Sequence, residues 1–144
     1  MKYRIIGNEI YLRIDKGEPV FKTIKGVCDK ENILMAHFQG IGGCGEATVA
    51  TLDEETLEFK EHKAEGVLEA ISFMGNVSKG EDGKAFLHAH AAFSYIDENG
   101  EHKILAGHMI EAIVKYTAEI IINFTGETLG RVMDDNAGIT VWDL

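Results

Sequence analysis

The stretch Ala85-Phe-Leu-His-Ala-His-Ala-Ala-Phe-Ser-Tyr-Ile-Asp-Glu-Asn-Gly-Glu-His-Lys-Ile-Leu-Ala-Gly-His-Met-Ile110 reads as two strands joined by a turn. Side chains alternate faces along a strand, so His88 and His90 send two imidazoles to one side. The direction of His108 depends on the turn. A two-residue Asn99-Gly100 turn pairs Glu98 with Glu101, sets His90 opposite Met109 and points His108 to the other face. A three-residue Glu98-Asn99-Gly100 loop, with Gly100 left-handed, pairs Asp97 with Glu101 and sets His90 opposite His108. Directly opposed residues hold their Cβ atoms ~4.5–5.5 Å apart, close enough for both rings to reach one ion.

The apolar pattern favours the second register. Leu87, Ala89, Ala91 and Phe93 then form one apolar face with Leu105 and Met109. His88, His90 and His108 share the other face with Phe86, Ala92, Ser94, Ile104 and Ile110. That face is itself largely apolar, which suits cover by another layer or subunit. Three neutral imidazoles converging on one point suit Zn²⁺ best, at about 2.0–2.1 Å, with Ni²⁺, Fe²⁺ and Cu²⁺ also admissible. A fourth position stays open for water or a small-molecule ligand. His37, alternating along Met35-Ala-His-Phe38, is a candidate pocket residue, whereas His62 and His102 lie in charged, solvated segments.

No carboxylate is assigned as a catalytic base. Glu111 faces away from the histidines in the favoured register, and Glu46, Glu69 and Glu119 have no place in it. If the chain is an enzyme, the donor set points to a zinc-dependent lyase or hydrolase acting on a small molecule. The alternative is a non-catalytic oligomeric scaffold, or a transcription- or DNA-associated regulator.

Outward from the hairpin, Pro19 marks a helix start. Val20, Ile24, Val27 and Cys28 recur at helical spacing, so one principal helix is expected at about 18–30. The remaining patterns read as strands at 3–6, 9–14, 33–40, 45–52, 58–65, 67–77, 85–95, 103–113, 117–124 and 139–142. The fold class is therefore α+β, a large, mostly antiparallel sheet with one helix, in a single domain over 1–144. Gly40-Ile-Gly-Gly-Cys-Gly45 lacks GxGxxG and precedes a strand rather than a helix, so it reads as a tight turn and not as a phosphate loop.

The chain has 144 residues and a net charge of −10, with 14 Lys and Arg against 24 Asp and Glu. Its cations are scattered among carboxylates, which argues against nucleic acid as a partner, because duplex binding needs a concentrated basic patch. No apolar run approaches the ~20 residues of a membrane span, and the N-terminal residues do not resemble a signal peptide. A cytoplasmic protein with no membrane partner is expected. Cys28 and Cys44 show no CxxC spacing and read as reduced, partly buried thiols.

The order of motifs then resembles a family. Gly40-Ile-Gly-Gly-Cys-Gly-Glu-Ala-Thr48 is followed by Leu68-Glu-Ala-Ile-Ser-Phe-Met-Gly-Asn-Val77, then His88-Ala-His90, Gly107-His108 and Tyr116-Thr-Ala-Glu-Ile-Ile121. This resembles the plants-and-prokaryotes-conserved (PPC) domain, found alone in bacteria and archaea and behind AT-hooks in plant nuclear proteins. The resemblance implies a large antiparallel sheet assembled as a homotrimer. It also likens Gly66–Phe73 to the stretch with which plant members engage other transcription factors. No AT-hook is present. The fold so implied is similar to that of acetolactate decarboxylase, a zinc enzyme whose ligands include a His-x-His pair and a third histidine.

Overall fold

The computed structural model describes residues 1–144. Eight strands and one helix follow in the order β1 (Lys2–Ile6), β2 (Glu9–Asp15), α1 (Val20–Lys30), β3 (Met35–Leu52), β4 (Phe59–Lys79), β5 (Ala85–Ile96), β6 (His102–Phe124), β7 (Arg131–Asp134) and β8 (Ile139–Trp142). Six strands form one antiparallel sheet in the order β1-β2-β6-β3-β4-β5. Strand β6 pairs with β3 along one edge and, from His102 to His108, with β5 along the other. Strands β3, β4, β5 and β6 therefore close into a ring, and β2 and β1 extend the sheet from the second half of β6.

The ring interior is the core. Phe38, Phe73 and Phe93 are fully buried there, the last two edge to face with ring centres 5.6 Å apart. Leu87, Ala89, Ala91, Leu105 and Met109 are buried beside them, the apolar face expected of the hairpin. Helix α1 buries Val20, Ile24, Val27 and Cys28, the stripe read from the sequence. The helix begins two residues later than expected. Pro19 stays extended as its N-cap, and no side chain near it in sequence caps the first turn. The carboxylate of Glu111 does so from β6, accepting the Phe21 N–H at 2.7 Å and the Lys22 N–H at 3.3 Å. A carboxylate here satisfies orphaned amides and faces the positive end of the helix dipole.

Three pairs of expected strands are in fact single long strands: β3, β4 and β6. The glycine-rich Gly40–Gly45 is not a turn. It runs extended between β4 and β6, with Gly42 opposite both Ala70 and Ala118. A Cβ at Gly42 would lie 2.7 Å from the Thr117 carbonyl oxygen and 2.8 Å from the Ala118 Cα. The glycine is there because β3 and β6 approach too closely for a side chain, and the same missing Cβ imitates a turn signal in the sequence. Strand β7 had no expectation at all. It pairs with β8 in a separate two-stranded sheet, tied back by the Lys79 N–H to the Leu129 carbonyl and the Leu129 N–H to that of Leu34.

Candidate metal centre

The hairpin adopts the three-residue loop. The Asp97 N–H donates to the Glu101 carbonyl at 2.9 Å, and Gly100 takes φ +79°. The Asp97 carboxylate fixes the loop by accepting the N–H groups of Asn99 and Glu101, both at 2.9 Å. These bonds hold its carboxyl below the usual range. Counting outward, Tyr95 meets Lys103, Phe93 meets Leu105 and His90 meets His108.

The three imidazoles converge. Ring centres stand 5.4 Å apart for His88 and His90, 5.3 Å for His88 and His108, and 5.4 Å for His90 and His108. One nitrogen from each ring lies within 4.8 Å of the other two. Small side-chain rotations would bring such a triangle onto one ion. Burial holds the His88 imidazole below its ordinary pKa, helped by His108, His90 and Arg131. Burial, then His90, does the same for His108. Neutral imidazole is the form that ligates metal, so the site favours the ligating state before any ion arrives. The donors and their protonation fit a divalent ion of the zinc type, with no carboxylate in the cluster.

The other sequence candidates lie elsewhere. His37 is exposed on β3, with Asn76 of β4 between it and His88 in the cross-strand rank. His62 is exposed on β4, and His102 bonds Ser94 Oγ at 2.8 Å. Glu111 is engaged on the helix, Glu46 pairs with Lys63 at 3.0 Å, and Glu69 and Glu119 flank a separate groove with Tyr116 and Thr117. Cys28 and Cys44 are buried free thiols, each pushed up to about 12 by burial.

Three neighbours of the cluster were not anticipated. Phe59, at the start of β4, packs its ring 5.3 Å from that of His108. Asn76 is paired with His88, and its Oδ1 is buried without a hydrogen-bond partner. Arg131 exerts its charge on His88 from β7. The register of the β4–β5 hairpin, with Lys79 opposite Ala85, would have found Asn76 by counting inward.

The fold is shared widely. A candidate DNA-binding protein of Bacteroides thetaiotaomicron superposes with a TM-score of 0.88 at 24% identity, over 99% of this chain and 96% of that one. A plant- and prokaryote-conserved protein of Pyrococcus horikoshii gives 0.80 at 31%, over 99% and 95%. A metal-containing protein of Archaeoglobus fulgidus gives 0.80 at 27%, over 98% and 96%. The expected likeness to α-acetolactate decarboxylase is present in fold alone. The Bacillus subtilis enzyme gives 0.53 at 13%, over 80% of this chain and 51% of that one. No curated protein matches the chain. The Plants and Prokaryotes Conserved (PCC) domain matches residues 1–125, a span that includes the ring of strands and all three histidines, and the chain belongs to that family.

Proposed function

We propose that the chain is a cytoplasmic, homotrimeric metal-binding protein that holds Zn²⁺ on His88, His90 and His108. The observation that carries this reading is the triangle of three imidazoles, two of them held toward neutrality, with no carboxylate in the cluster. The description of the Archaeoglobus relative as metal-containing supports it. A bound zinc would supply Lewis acidity and a water of lowered pKa. The chain's own residues would fix the donors by strand register, pack Phe59 against His108 and leave the open side to a small molecule. If there is a reaction, it is a lyase-type or hydrolytic one.

The trimer has a separate support. The histidine face continues across Met74, Ile71, Ile41 and Tyr11, all more than 40% exposed, around a concavity of about 860 Å³. An apolar expanse of this kind on a sheet suits a second copy. No helix is long and apolar enough to cross a membrane. A DNA-associated role is the second reading, favoured by the description of the Bacteroides relative, while the net charge of −10 opposes it.

Elemental analysis of the purified chain beside a His88→Ala/His90→Ala variant tests the metal. About one metal per chain in the first and none in the second is expected. No metal in either, with melting unchanged on zinc addition, overturns it. Light scattering tests the trimer, and a monomeric mass refutes it. A duplex titration at moderate salt tests the second reading, with no measurable binding expected.

A further inference from the structure

The small hairpin of β7 and β8 makes a cavity with the body of the fold. It faces the end of β4, the start of β5 and the first turns of α1, and encloses about 790 Å³. Pockets for small organic ligands run from about 300 to 1,000 Å³. The cavity shares no residue with the histidine cluster or with the concavity assigned above to a second copy. Its β7–β8 wall lies beyond residues 1–125, the span matched to the family.

Much of the wall is apolar. Phe21 comes from α1, Leu87 from β5 and Met133 from β7, while the Phe86 side chain is 41% exposed. Two phenyl rings and a thioether favour a flat aromatic guest, which can pack edge to face on the rings and against the sulfur. Arg131 supplies the polar end. Its Cζ stands 4.6 Å from the Phe86 ring centre. One Nη donates to Ser78 Oγ at 3.3 Å and the other to the Thr140 carbonyl at 2.6 Å. These bonds fix the guanidinium, and each Nη keeps a second N–H.

The charges on the cavity limit what can enter. Lys25 is already matched by Asp29 at 2.8 Å, whereas Arg131 and Lys79 form no ion pair within 4.0 Å. Glu81 and Asp82 stand on the exposed β4–β5 turn at the cavity rim. Asp82 is held to that turn, its Oδ1 accepting the Lys84 N–H at 3.0 Å. Two unpaired cations therefore stand against two carboxylates. One negative charge on a guest is met by the guanidinium, while a second would meet the rim carboxylates. A planar guanidinium presents paired N–H groups that match a carboxylate. We infer that this cavity binds an aromatic monocarboxylate, its ring against Phe86 and Met133 and its carboxylate on Arg131 with Lys79 alongside. The site is independent of any metal on the histidines.

The test titrates phenylpropionate into the full chain as purified, followed by calorimetry and by the emission of Trp142, the single tryptophan. Trp142 is the cross-strand partner of Arg131, so it lies on the cavity face of the hairpin and reports this site. One site per chain is expected, with the emission change following the calorimetric isotherm and unaltered by EDTA. Phenylpropionamide, without the charge, and phenethyl phosphate, with a second charge, should each bind at least tenfold more weakly. R131Q should lose at least tenfold in affinity and K79Q several-fold. R131Q also gives up the contacts to Ser78 and Thr140, so K79Q, which breaks no ion pair, and the amide test the charge on an undisturbed fold. Absence of binding by both readouts, equal affinity for acid and amide, wild-type affinity in R131Q or K79Q, or loss of binding in EDTA each overturns the inference. Loss in EDTA would place the carboxylate on a histidine-bound metal instead.

Discussion

Glu111 follows His108 by three residues on β6, a spacing that in a regular strand turns the two side chains to opposite faces. Its oxygens cap α1 through the Phe21 and Lys22 amides. E111A removes both bonds, together with the local one from the Ala112 N–H to Oε1 at 3.0 Å. The 2.7 Å bond is a full charge-assisted one, while the 3.3 Å bond adds little. Hydrogen bonds to charged groups contribute about 1.5–3 kcal/mol, and loss of a helix cap costs about 0.5–2 kcal/mol. We therefore expect a loss of about 2 kcal/mol. At this chain length each kcal/mol lowers Tm by roughly 2–4 °C, giving a drop of about 4–8 °C. E111Q keeps an acceptor and loses only the interaction of its charge with the helix dipole, about 0.3–1 kcal/mol. The assay is thermal unfolding by circular dichroism in EDTA, at equal protein concentration because an oligomer's Tm depends on it. Zinc affinity by chelator competition is measured in parallel and should stay within a factor of two or three. A Tm within 1 °C of wild type combined with a tenfold loss of zinc affinity would refute the reasoning and place Glu111 at the histidine cluster instead.

Because folding holds His88 and His108 below their ordinary pKa, the unfolded chain binds protons that the folded chain resists. Metal-free stability from this source is intact above about pH 6.5 and falls as pH drops through that value and below. Tm in EDTA should decline more steeply between pH 7.5 and 5 for wild type than for H88Q/H108Q, and parallel slopes would contradict it. Gly42→Val drives a side chain into the β6 backbone at 2.7–2.8 Å. It should cost about 3 kcal/mol or more, read as loss of the cooperative melt. With both thiols near 12, the native chain at pH 8 should ignore Ellman's reagent and release two thiols only after denaturation. Rapid native labelling would show that Cys44 is more open than its burial indicates.

The hairpin at 85–110 was readable because two independent constraints agree in it. The alternation of Leu87, Ala89, Ala91 and Phe93 demands one face, and the Asp97–Glu101 loop permits one register that satisfies it. The helix was readable for the same reason, its stripe being sharp enough to survive an error of two residues at Pro19. The long strands were not. Gly42, Gly66 and the segment after Ile113 interrupt the pattern at bends or bulges of continuous strands. A glycine required by a neighbouring backbone looks the same in sequence as one required by a turn. Only the partner strand distinguishes them, and that partner lies some seventy residues away, where Ala118 faces Gly42.

The site divides along the same line. His88, His90 and His108 come from adjacent strands joined by a short loop, so local counting suffices to unite them. The groups that surround the cluster come from farther off. Phe59 reaches His108 because β3 lies between their strands, with Ala50 opposite His108 and Leu52 opposite Phe59. Arg131 reaches the His88 neighbourhood through Ser78, fifty-three residues earlier. Its segment, Arg131-Val-Met-Asp134, gives no sign in sequence of which face it covers. The candidate donors in this fold follow from a single hairpin, whereas their surroundings follow from how separate hairpins dock. Exchanging the 126–144 segment should therefore leave the metal affinity, read by chelator competition, within a factor of two or three of the parent's.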